Sequence, residues 1–79
     1  MIDVLFFGPV VERTGASLLK VEFRPGMTLG ELRDELAAMY PHAFEIVCLA
    51  AVDGQHARDF ATQLVDGSEV TFMARFSGG

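Results

Sequence analysis

With 79 residues the chain is sized for one small domain, burying roughly 60% of the surface that its unfolded form exposes. Hydrophobic residues make up 51% of it, which excludes disorder despite a formal net charge of -5. That charge, with only six scattered Lys and Arg, excludes nucleic acid or an anionic membrane as the main partner and favours a partner with a basic surface.

Ile2 to Phe7 is an apolar run interrupted by Asp3, and it predicts a central strand covered on both faces and ended by Gly8-Pro9. Phe6 and Phe7 point to opposite sides of that strand. One of them is therefore expected on the side away from any helix, where Phe7, with Phe72 or Met73, would form an apolar docking patch. Val10 to Thr14 suits one short helical turn closed by Gly15. Leu18 to Phe23 alternates, with Leu19, Val21 and Phe23 on one face, and reads as a half-exposed strand broken by Arg24-Pro25-Gly26.

Thr28 and Glu31 form a capping box, in which hydroxyl and carboxylate would satisfy the orphan amides of a helix start. The helix runs to about Tyr40, with Leu29, Leu32, Leu36, Met39 and Tyr40 as its core stripe, and Pro41 stops it. After a loop containing His42, Ile46 to Val52 predicts a second buried strand ended by a reversal at Asp53-Gly54. Cys48 falls inside that run and is expected to be a small buried hydrophobe. As the single cysteine of the chain, it cannot build an internal disulfide, an iron–sulfur site or a zinc cage. His56, Arg58 and Asp59 read as loop, and neither histidine has a Cys, Asp or Ser constellation around it. After a turn at Asp66-Gly67, Glu69 to Met73 is the last strand, with Val70 and Phe72 on one face and Glu69, Thr71 and Met73 on the other. The fold class is α+β, a mixed sheet with one main helix packed on one face.

This divides the chain into a domain, residues 1–73, and a flexible tail, residues 74–79. At about 3.3 Å per residue the tail reaches roughly 20 Å from the last strand. Gly78 and Gly79 give it backbone freedom and a minimal cross-section, so the carboxylate of Gly79 is the group that a narrow active site would receive. No basic stretch leads into a long apolar segment, and a cytoplasmic protein is expected.

The opening Met1-Ile2-Asp3-Val4-Leu5-Phe6-Phe7-Gly8, the central Leu49-Ala50-Ala51-Val52-Asp53 and the run Leu64 to Phe72 before a Gly-Gly end carry a resemblance over essentially the whole chain. Together they resemble the small-subunit family of molybdopterin synthase, ubiquitin-like sulfur carriers with the β-grasp fold, and more distantly the thiamine-pathway carrier. The resemblance implies that Gly79 is adenylated by an E1-like activating enzyme and then thiocarboxylated. It also implies that the charged tail enters the large subunit of molybdopterin synthase, in a two-plus-two complex, and gives sulfur to a pterin precursor. ATP and magnesium would bind the activating enzyme, since this chain has no phosphate-cradling Gly-x-x-x-x-Gly-Lys loop and is expected to bind no cofactor of its own. Gly78, Ser77, Phe76, Arg75 and Phe7 are the expected partner contacts. Family tails often carry a proline pair, whereas this one reads Ala74-Arg75-Phe76-Ser77, which is less stiff and bulkier. That difference keeps open a carrier for thiamine or another sulfur-containing metabolite, and a β-grasp interaction module that is never activated.

Overall fold

A computed structural model describes residues 1–74. Five strands form one sheet: β1 (Ile2–Phe6), β2 (Leu18–Val21), β3 (Val47–Val52), β4 (Gln55–Ala57) and β5 (Glu69–Ala74). Their order is β2-β1-β5-β3-β4, with β1 and β5 parallel and every other pair antiparallel. Three helices complete the fold: α1 (Pro9–Thr14), α2 (Leu29–Met39) and α3 (Pro41–Phe44). Among the described residues no helix is long and apolar enough to cross a membrane.

The core lies on one side of the sheet. Ile2, Val4 and Phe6 of β1 and Val70 and Phe72 of β5 are buried, and the parallel register sets Val4 beside Val70 and Phe6 beside Phe72. Leu29, Leu32 and Leu36 of α2 join that cluster, as spacings of three and four dictate. Each such side chain contributes about 1.5–3 kcal/mol by leaving water.

Several expectations change. Asp3 and Leu5 are only half-buried, so β1 is covered on one face rather than two. Met39 is 59% exposed and Tyr40 half-buried, because the stripe runs off the core in the last turn of α2. Pro41 does not lead into a loop at His42. It starts α3, where its fixed φ suits a first helical position, and α3 brings the Phe44 ring within 5.2 Å of Phe72 and 6.4 Å of Phe6. His56 lies on a strand, not a loop. Asp53 and Gly54 have φ of 50° and 83°, the signature of a two-residue type I′ hairpin, and this folds Gln55–Ala57 directly back along β3. Finally, β3 is not a buried strand, since Ala50 is its one fully buried residue and Cys48 is exposed at a register shift between Val47 and Leu49.

The α2 cap matches the expectation in part. The Glu31 amide donates to the Thr28 hydroxyl at 3.2 Å, but the Glu31 carboxylate meets that hydroxyl rather than a backbone amide. The remaining orphan donors of Leu29 and Gly30 go instead to the Thr62 and Phe60 carbonyls, each at 2.9 Å.

Candidate docking face

Side chains alternate along a strand, so the residues between the core positions share the opposite, helix-free side of the sheet. The registers align one row across all five strands: Leu18, Leu5, Thr71, Ala51 and His56. On one flank of this row stand Lys20, Asp3 and Glu69, with the Lys20 ammonium 3.1 Å from the Asp3 carboxylate. On the other flank Met73 faces Leu49 across the β5–β3 pair. Phe7 continues the Asp3–Leu5 alternation one residue beyond β1 and is 54% exposed, and Leu18 is 51% exposed.

The face is therefore graded, charged where β5 begins and apolar where it ends. Its apolar flank adjoins Ala74, the last described residue before the Gly-Gly segment. A partner that grips Phe7, Leu49 and Met73 by desolvation thus holds the domain beside the point from which residues 75–79 continue.

Of the residues expected to contact partners, Phe7 is where the alternation puts it. Arg75, Phe76, Ser77, Gly78 and the candidate acyl site Gly79 lie outside the described residues. Phe72 cannot belong to the patch, because it is fully buried on the core side, stacked 6.4 Å from Phe6. Leu5, Leu18 and Leu49 were not expected there, although the period-two pattern of their strands marks them. Among the described residues two titratable groups are shifted, and both lie off this face. Hydrogen bonding and charge from Glu35 raise the Arg24 guanidinium, and the Met1 ammonium lowers the Asp66 carboxyl. Among the described residues, no three His, Cys, Asp or Glu side chains gather closely enough to hold a metal ion.

Comparison with known proteins adds sequence and fold. The ThiS family model matches residues 4–79. No curated protein matches. SAMP1 from Haloferax volcanii superposes with a TM-score of 0.84 at 19% identity, covering 99% of this chain and 98% of that one. A putative molybdopterin converting factor subunit 1 from Pyrococcus furiosus gives 0.83 at 19% identity, covering 95% and 97%. A complex of subunits 1 and 2 of the molybdopterin-converting factor from Helicobacter pylori 26695 gives 0.74 at 21% identity, covering 99% and 97%. The mixed sheet with its main helix on one face is thus the ubiquitin-like β-grasp fold.

Proposed function

We infer that this chain, which belongs to the ThiS family of ubiquitin-like sulfur carriers, carries its sulfur as a thiocarboxylate on Gly79 and delivers it to a pterin precursor in molybdopterin synthesis. The observation that carries this reading is the graded face, whose apolar flank adjoins the strand end leading to Gly78-Gly79.

A carboxylate is a poor electrophile because resonance spreads its charge. Attack of the Gly79 carboxylate on the α-phosphorus of ATP releases pyrophosphate and leaves an acyl adenylate, whose AMP is a good leaving group. Sulfide displaces AMP at the acyl carbon to give the thiocarboxylate directly, whereas the outer sulfur of a persulfide donor gives an acyl disulfide that a second thiol cleaves, releasing the thiocarboxylate and leaving that thiol and the donor joined as a disulfide. An E1-like enzyme supplies the ATP and magnesium site, and this chain supplies the acyl group and the docking face. The Helicobacter pylori neighbour is a complex of subunits 1 and 2, which supports a large subunit as the second partner. A cytoplasmic location fits this chemistry.

The test is intact-mass measurement after incubation with an activating enzyme, ATP and a sulfur donor. A gain equal to one oxygen replaced by sulfur, located on Gly79 by fragmentation, is expected, and an unchanged mass with every activating enzyme overturns the reading. The tail Ala74-Arg75-Phe76-Ser77, without prolines, favours a second reading in which the same thiocarboxylate serves thiamine or another sulfur-containing product. Supplying the loaded carrier with pterin precursor and large subunit separates the two.

A further inference from the structure

At the edge of the sheet, β4 pairs with only part of β3. Its three residues pair with Ala50, Ala51 and Val52, and among the described residues no strand lies beside Val47–Leu49 on that edge. The Asp53 amide donates to the Glu69 carbonyl, so residues 53, 51 and 49 turn their backbone groups to β5, and residues 52 and 50 turn theirs outward. The register shift between Val47 and Leu49 leaves Cys48 without a β5 partner. Against this open edge lies a groove of about 160 Å³, lined by Val47 to Ala50 of β3 together with Phe72, Phe60 and Arg33, and its Cys48 is exposed.

The groove is pre-formed. Phe60 is fixed to the first turn of α2 by the 2.9 Å hydrogen bond from the Gly30 amide to its carbonyl. Arg33, one turn along, lays its guanidinium 4.6 Å from the centre of the Phe60 ring. One Arg33 donor reaches Asp34 at 3.3 Å, which engages one of the five donors of its guanidinium fork.

We propose that this edge and groove bind an extended segment of a partner protein, which adds to β3 as a strand at Val47–Leu49, inserts one aliphatic side chain over Phe72 and sets an Asp or Glu against Arg33. Strand addition supplies main-chain hydrogen bonds, and alternate side chains supply selectivity. The volume fits one branched side chain, since an apolar cavity of about 150 Å³ takes a benzene-sized group. Charge selects an acidic neighbour over a basic one, because Arg33 is the single cation among the groove residues. This surface shares Leu49 with the docking face but otherwise lies on the helix side of the sheet, and it does not rest on the carrier reading.

Cys48 provides the test, because any thiol-directed reagent labels that one position. The probes are two pools of capped octapeptides with Ile, Leu or Val at the third and fifth positions, followed by two acidic or two basic residues. The acidic pool is expected to slow alkylation of Cys48 by N-ethylmaleimide and to move the amide resonances of Cys48, Leu49 and Phe60. Arg33→Gln should weaken that protection about three- to fivefold, with Arg33→Lys in between and an unchanged circular dichroism spectrum in both. The proposal is overturned if the acidic pool gives no protection at millimolar concentration, if both pools protect equally, or if Arg33→Gln changes nothing. Resonance changes confined to Leu5 and Met73 overturn it too, as does protection that rises with protein concentration alone, which would make the occupant a second copy.

Discussion

Phe6 and Phe7 are adjacent and chemically identical, yet one is 1% exposed within a cluster formed by Tyr40, Phe44 and Phe72, and the other is more than half exposed. Substitution separates packing from docking. Phe6→Ala should cost about 3–5 kcal/mol in urea unfolding, since it opens a cavity among rings that cannot collapse into it. Phe7→Ser should change stability by no more than about 0.5 kcal/mol while slowing thiocarboxylate formation in the mass assay. Equal loading rates for Phe7→Ser and the unaltered protein would remove this ring from the partner contact. Asp66 gives a pH signature. Its carboxyl is held below the usual range by a hydrogen bond from the Met1 ammonium, so the stabilisation is complete above the unfolded value of about 3.9 and is lost as pH falls through the lower folded value. Asp66→Asn should therefore lose less of its urea midpoint on acidification below about pH 4 than the parent does. Parallel acid limbs would show that the pair contributes nothing in solution.

At the scale of elements, legibility followed the length and periodicity of each segment. β1, α2 and β5 could be read from the sequence because each repeats one pattern over five or more residues, and the Thr28 hydroxyl cap could be read from its spacing to Glu31. β4 could not, because three residues, two of them polar, carry no period. What creates it is the positive φ of Asp53 and Gly54, a turn whose dipeptide is visible in the sequence while the pairing of Gln55–Ala57 depends on the β3 register beyond it. The exposure of Cys48 was equally hidden, because it depends on where β4 stops and where β3 slips register. The docking face could be read only through Phe7 and Met73, as the remaining members become neighbours through strand order, which alternation within one strand does not specify. α2 also offers a test in which two effects oppose. Gly30→Ala would normally stabilise a helix by up to about 1 kcal/mol. Here the new methyl would stand 3.1 Å from the Phe60 carbonyl oxygen and 3.3 Å from its Cβ, and that carbonyl is held by the Gly30 amide itself, so the loop cannot withdraw without losing the bond. We expect a net loss of about 0.5–1 kcal/mol in the urea unfolding free energy. A gain would mean that the Phe60 loop yields freely.

The whole molecule is a two-sided object. One side of the sheet is spent on the core, and the other is graded toward the strand end that continues into Arg75-Phe76-Ser77-Gly78-Gly79. Under the proposed chemistry, the domain is a handle and the terminal acyl group is the cargo, so stability, docking and loading should respond separately to changes at the end of the chain. Appending one alanine after Gly79 places a methyl-bearing residue where a narrow channel admits only glycine, and it moves the carboxylate by about 3.3–3.6 Å. A misplacement of even about 1 Å can cost about a hundredfold in rate, so adenylation and sulfur loading should fall below detection by intact mass. The buried core is built from residues between Ile2 and Phe72, so the urea midpoint should not move, and association with the activating enzyme, measured by titration calorimetry without ATP, should remain because Phe7, Leu49 and Met73 are untouched. Full loading of the extended protein would exclude both carrier readings and leave an interaction module. Loss of association together with loading would instead place the recognition energy in residues 75–79 rather than on the face of the sheet.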